Sequence, residues 1–328
     1  MILIYPIIKP QKKLGSVFFI PLLIFLWLFS AEKNQLKEVK IKGKEDIFFS
    51  QPIDIETDGS RIYILDSREC SIRVFSFEGQ QLAKIGRYGR GPGEFTGSSD
   101  LDINGDEIAL LDSEGHRVIF YGVDGSYRGE FKLGFRGHRI SSLSKDKIIV
   151  SYLPRMKEKN VFCLKFFNRE GKKLAEAEKV SSSGHGAYDF FLFQHYLIKR
   201  GYQLLLVKPF GPQLAIVFDE TGKRLGEIKA QRDHPIIQFT PPLSQAKKIQ
   251  ALFWSATIAD DKIYLIIPGR MKDGDLGPSP KVAILNSQDK LEGFIQFPLP
   301  VYKLTKIGQR FFVIDELAQL RLFDLIDQ

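Results

Sequence analysis

A stretch near the front of the chain returns 46 residues later. Residues 61–86 read RIYILDSRECSIRVFSFEGQQLAKIG, and residues 107–132 read EIALLDSEGHRVIFYGVDGSYRGEFK. Leu65-Asp66-Ser67 recurs as Leu111-Asp112-Ser113, and Glu78-Gly79 recurs as Asp124-Gly125. A further 46 residues on stands Glu170-Gly171. Looser copies follow as KIIVSYL (147–153), YQLLLVK (202–208), KIYLIIP (262–268) and RFFVIDELAQLRLFDL (310–325). Each copy holds short runs of Ile, Val, Leu, Phe and Tyr between Asp, Gly, Asn or Lys turns, the pattern of a β-meander. A period of about 40 to 50 residues with four strands per unit predicts propeller blades.

Strand sets near 62–66, 107–112, 147–152, 202–207, 262–267 and 310–315 make six blades, and the sixth is incomplete because the chain ends at Gln328. The segment LKEVKIKGKEDIFF (36–49) precedes the first blade and is left over. It is expected to supply the missing outer strand of blade six, closing the ring and covering the terminal sheet edge. The reading is therefore an all-β, six-bladed β-propeller over 36–328, preceded over 1–35 by a cytoplasmic stub and a hydrophobic helix.

The Gly-rich GRGPGEF corner (89–95), an inner strand, IYILDS (62–67) and then RVFSFEG (73–79) together resemble the NHL-type six-bladed propeller repeat. Blade one matches well, blade two in part, and the others keep the strand pattern alone. The chain is similar to exported bacterial six-bladed propellers carrying a GxGPGEF stretch. That resemblance implies the fold and an extracytoplasmic setting, without an assigned activity.

The N-terminus speaks to location. Lys9, Lys12 and Lys13 precede Leu14 to Ala31, an 18-residue run without charge. That length is the lower end for a spanning helix, and preceding basic residues place the N-terminus in the cytoplasm. An uncleaved signal-anchor is favoured, because Phe29 spoils the small-x-small pattern of a cleavable signal peptide, the competing reading. Either way the body is exported, to the periplasm or cell surface if anchored and secreted if cleaved. Cys70 and Cys163 make no disulfide framework. Cys163 falls in an alternating strand and reads as core, and Cys70 reads as a loop residue that is potentially exposed.

Gly86, Gly89, Gly91 and Gly93 do not read as a phosphate cradle. Such a loop ends at a helix N-terminus, whereas FTGSSDLDINGDEIALLD (95–112) reads as strand and turn. The glycines are expected to make a corner, with Phe95 packed between blades. Asp66, Asp112 and Asp315 share one repeat position at the end of a second strand, which favours accepting hydrogen bonds from the following turn over catalysis. No stretch matches a calcium loop; Asp273, Gly274 and Asp275 come nearest. No cofactor is called for.

Sorting the loops by rim separates charge. One rim would carry Arg68, Arg87, Arg90, Arg136, Arg155, Lys208 and Arg270, with Tyr88 nearby. The other would carry mostly Asp and Glu, diluted by Lys145, Lys199 and Lys262. A basic face suits an anionic partner, and solvated loop charge is the plainer alternative. Compartment argues against nucleic acid. In the insertion at 231–254, Ser244 is expected to cap a short helix carrying Ile249, Leu252 and Phe253, either a lid or a packing insertion. Of five histidines only His195 falls near an inner strand; His116, His138, His185 and His234 read as loop residues. SSSGHG (181–186) reads as a flexible loop without a G-x-S-x-G nucleophile turn. The reading is a non-catalytic binding or scaffold module for an envelope protein or an anionic polysaccharide. A metal-dependent hydrolase or lyase, lactonase-like or amidating-lyase-like, using the central channel is the alternative; the residues assign no metal ligands.

Overall fold

Six short strands face a common axis: Pro52–Thr57, Ser98–Asn104, Ile140–Ser144, Tyr196–Arg200, Ser255–Ala259 and Val301–Ile307. Each packs against the next around a ring, and the last packs against the first. Outward from each, antiparallel partners build a four-stranded sheet, so the described residues form six blades. The computed structural model describes residues 35–41, 46–155, 157–184, 186–230, 237–239, 249–271 and 275–326. The apolar run 14–31 and the expected anchor lie outside them. Among the described residues no helix is long and apolar enough to cross a membrane.

The sixth sheet takes three strands from the C-terminus, Val301–Ile307, Arg310–Asp315 and Leu320–Ile326, and a fourth from the front of the chain. Gln35–Val39 lies antiparallel to Leu320–Ile326, with Gln35 opposite Ile326 and Val39 opposite Leu322. Arg321 pairs with Glu38 across this seam at 3.2 Å.

The strand alternation explains the stacking. In blade one, Tyr63 and Leu65 point towards blade two, where they meet Leu101, Ile108 and Leu110. Ile62 and Ile64 point the other way and meet Phe312, Ile314 and Leu322 of blade six. A strand buried on both faces has no polar side, which is why Ile62–Asp66 and Glu107–Asp112 are buried throughout. Outer strands such as Gln81–Ile85 face solvent.

Asp66, Asp112 and Asp315 serve the turns. The Asp66 carboxylate accepts the N–H groups of Ser50, Gln51, Arg68 and Glu69 at 2.7–3.1 Å. Asp315 accepts those of Leu317 and Gln319. Asp112 adds a buried ion pair with Arg117, 3.0 Å.

Three local readings are corrected. Ile249 lies in a strand, Ile249–Ala251, paired with Ile237–Phe239, because its neighbours Leu252 and Phe253 are drawn into the core between blades four and five; Ser244 lies outside the described residues. Residues 181–184 are tied down rather than free: Ser182 is buried and its hydroxyl donates to Asp189 at 2.6 Å, ahead of helix α1 (Gly186–Phe193). Cys70 is buried, its thiol donating to the Ser67 carbonyl at 3.4 Å.

Candidate functional site

Every first strand runs from one face of the disc to the other. Loops between second and third strands, and connections between blades, therefore share the face where first strands begin, here the upper face. The GRGPGEF corner lies on it. Phe95 is fully buried between blades one and two, and Gly86, at φ +79°, leaves it room: a Cβ there would stand 2.4 Å from the Phe95 ring. Arg117 closes the corner from beneath, donating to the Glu94 carbonyl at 2.7 Å, and Tyr121 donates to that of Gly93 at 2.9 Å. With its carbonyls engaged and a strand following, this loop is a packed turn.

Topology places Arg68, Arg87, Tyr88, Arg90, Arg136, Arg155, Lys208 and Arg270 in upper-face loops or at their strand ends. Their surroundings differ. Arg87 is spent on Glu94 at 2.8 Å and Arg136 on Glu114 at 2.5 Å, both carboxylates of the same face. Arg270 donates to the Gln238 carbonyl at 2.9 Å. Lys208 is half-buried beside Glu178, His195 and Cys163 in a small cleft. Arg68, Arg90 and Arg155 are exposed and make no ion pair among the described residues. Sorting by cations alone overlooked Glu94 and Glu114. On the same face lie Tyr88, 74% exposed, and Phe190, Met271 and Leu317, each more than half exposed.

The second region is the axial channel, about 200 Å³, lined by first-strand residues of all six blades. Its charge is one-sided. Blades one and two supply Asp54, Glu56, Asp100 and Asp102; blades three, four and six supply Arg139, Lys199 and Lys303; blade five supplies Ser255 and Thr257. Several carboxylates link neighbouring blades. Asp54 accepts the Leu101 N–H at 3.1 Å, Asp100 that of Ile140 at 2.8 Å, and Asp102 that of Ser142 at 2.8 Å. Arg139 pairs with Asp100 at 3.1 Å. Lys199, expected in a lower loop, instead reaches into the channel towards Asp102 at 3.8 Å and the Ser142 carbonyl at 3.1 Å. Burial, reinforced by Asp54, holds the Asp100 and Glu56 carboxyls well above the usual carboxylate range. Burial also raises that of Asp102.

At the upper mouth two histidines meet, His138 and His195, with ring centroids 5.0 Å apart. His138 lies in a loop, as expected, but two residues ahead of the inner strand Ile140–Ser144 and half-buried rather than solvated, because the connection from blade two turns directly into that strand. His195 is 3% exposed, and its Nδ1 lies 2.7 Å from the Phe193 carbonyl, so Nδ1 carries the proton. Neither Nε2 has a hydrogen-bond partner among the described residues. Burial, with Arg139 close by, pushes both imidazoles towards the neutral form, His195 down to about 3. Among the described residues no cluster of three or more His, Cys, Asp or Glu has the geometry of a metal centre.

These channel residues escaped the sequence reading, yet a signal existed. Asp54 and Asp100, and Glu56 and Asp102, are separated by the same 46 residues as the Leu-Asp-Ser motif.

The architecture is that of a β-propeller with a polar axial channel. The chain belongs to the family described as a domain of unknown function, DUF4934, whose model matches residues 39–214. Among solved structures it is similar to a candidate exported protein of Bacteroides fragilis, with 13% identity, a TM-score of 0.60, and 90% of this chain and 95% of that one covered. It is also similar to virginiamycin B lyase from Staphylococcus aureus, with 12% identity, a TM-score of 0.53, and 89% and 99% covered. A third similar structure is the Cps50 (Swd1) β-propeller domain of Myceliophteria thermophila, with 11% identity, a TM-score of 0.54, and 88% and 100% covered. What is shared at these identities is the fold. No curated protein matches the sequence.

Proposed function

We propose that the protein is an exported binding module whose upper face docks an acidic protein of the cell envelope. The observation that carries this reading is the mixture on that face: Tyr88, Phe190, Met271 and Leu317 exposed, together with Arg68, Arg90 and Arg155. Aromatic residues, Met and Arg are the types enriched where proteins meet. Export is supported by the uncharged run 14–31 behind three lysines and by the exported assignment of the Bacteroides fragilis protein of like fold. An uncleaved run would tether the propeller to the membrane. We further infer that the front strand, Gln35–Val39, is the latch that keeps the ring shut.

The arginines separate into two sets. Arg68, Arg90 and Arg155 make no ion pair among the described residues, so changing all three to Ser should release the protein from a carboxylated matrix at lower salt than wild type. Changing Arg87 and Arg136, each already neutralised by a neighbour, should shift elution less. Envelope-extract partners retained by wild type should be lost by the Tyr88→Ser, Phe190→Ser double variant. Equal elution of both arginine sets, together with unchanged capture by the double variant, would refute the reading.

A further inference from the structure

In blades one, two and six the first strand shifts register at the same place. Pro52, Ser98 and Val301 lie opposite Asp66, Asp112 and Asp315; then Asp54, Asp100 and Lys303 lie opposite Leu65, Leu111 and Ile314. One repeat position thus holds aspartate in two blades and lysine in the third. The aspartates use it to accept an N–H from the next blade. An ammonium has no lone pair to accept with, so Lys303 cannot make that link.

Lys303 does something else. It is only 8% exposed, and its ammonium makes no hydrogen bond or ion pair among the described residues. It stands 4.9 Å from the ring centroid of Tyr196, on blade four, where the Arg139 guanidinium stands 4.7 Å away. Two cations therefore converge on one ring, and Asp100, whose carboxylate feels the charge of both, is ion-paired to Arg139. The acidic wall has a surplus too. Asp54 holds one backbone N–H, and Glu56, two residues along the same strand face, has no hydrogen bond or ion pair among the described residues. Lys303, set against the Tyr196 ring without a hydrogen bond or ion pair among the described residues, and Glu56 line one channel and do not pair with each other. Enclosing charge without a partner is costly, which is why burial beside Asp54 favours the protonated Glu56 carboxyl; a ligand carrying both charges would relieve Lys303 with its carboxylate and let Glu56 ionise against its ammonium.

We propose that the axial channel binds a small zwitterion of amino-acid size, its carboxylate on Lys303 and its ammonium on Glu56 and Asp54. The roughly 200 Å³ of space is below that of pockets for drug-sized ligands, which fits a molecule of this class. A simple anion would leave the acidic wall unanswered, and a simple cation would leave Lys303 so.

The test is calorimetric titration of the full chain with glycine, L-alanine and glycylglycine, and separately with acetate and ethylammonium. At least one zwitterion should bind, while acetate and ethylammonium at the same concentration should not. Lys303→Met and Glu56→Gln should each weaken that binding at least tenfold, with circular dichroism unchanged. Glu56→Gln is isosteric and carries the test alone should Lys303→Met fail to fold. Failure of all three zwitterions to bind, acetate binding as tightly as they do, or full affinity in Glu56→Gln would each overturn the proposal. The upper-face arginine variants should leave this titration unchanged, which separates it from partner docking.

Discussion

Asp112 shows how one side chain type can be structural in three blades and yet differ in weight. In blade two it holds the backbone of Thr96, Gly97 and Gly115 and pairs with Arg117, a guanidinium almost wholly enclosed. Asp112→Ala would leave that cation buried beside Glu130 alone, so a loss of about 3–5 kcal/mol is expected in urea unfolding. The Arg117 contacts to the GRGPGEF corner should loosen with it. The histidine pair makes a pH prediction. An imidazole whose folded pKa lies near 3 takes up a proton on unfolding wherever the pH is between that value and the ordinary value of about 6.5. Its contribution is full above that window and falls as pH drops through it. From pH 7 to 5 the loss is about 2 kcal/mol for one such group. The buried acids oppose this, since raised carboxyl pKa values in Glu56, Asp100 and Asp102 favour the fold at low pH. Comparing wild type with His195→Asn isolates the histidine: the variant should lose about 2 kcal/mol less between pH 7 and 5 in urea titrations. An identical pH slope in the two proteins would show that His195 is not held neutral.

At the level of elements, the front strand carries the argument. A sheet that ended at Leu320–Ile326 would expose a row of unpaired backbone groups, and Gln35–Val39 lies along that row. The connection from it to blade one brings Ile47 and Phe49 into the seam between blades six and one. Phe49 stacks edge-on against Phe75 at 6.0 Å, and the Arg73 guanidinium lies 4.5 Å from its centroid. Removing residues 36–49 should therefore cost about 5 kcal/mol or more from those two core side chains alone, before any cost of opening the ring. Differential scanning calorimetry of the truncated chain should show a lower, broader transition; a melt matching the intact protein would mean the strand is ornamental. The insertion is instructive in the opposite sense. Ile249, Leu252 and Phe253 have helical spacing, but the core between blades four and five claims Leu252 and Phe253, and the hydrogen bond from the Leu252 N–H to the Pro209 carbonyl at 2.8 Å fixes an extended path. Tertiary packing overrode the local periodicity.

Across the whole molecule, the upper face and the channel were unequally legible. The face was readable because loop order alone assigns Arg68, Arg90 and Arg155 to one side of an antiparallel disc. Its compensation by Glu94 and Glu114 was not, since which carboxylate an arginine meets depends on how corners fold back. Arg87 meets Glu94 within one corner, whereas Arg136 meets a residue 22 positions away. The channel was harder still, because Asp54, Asp100 and Lys303 each read as an ordinary polar position on a half-buried strand, and Lys199 as a rim-loop charge. The repeat by itself determined that this chain stacks sheets, how many, and where the motif turns fall, because strand alternation and turn chemistry are written over a few neighbouring residues. Only the closed ring decided which polar side chains share the axis, that His138 meets His195, and that Lys303 stands against a ring without a hydrogen bond or ion pair among the described residues. Radial symmetry brings together residues that sequence separation keeps far apart, and whether two charges neutralise each other depends on ångströms that no local pattern specifies.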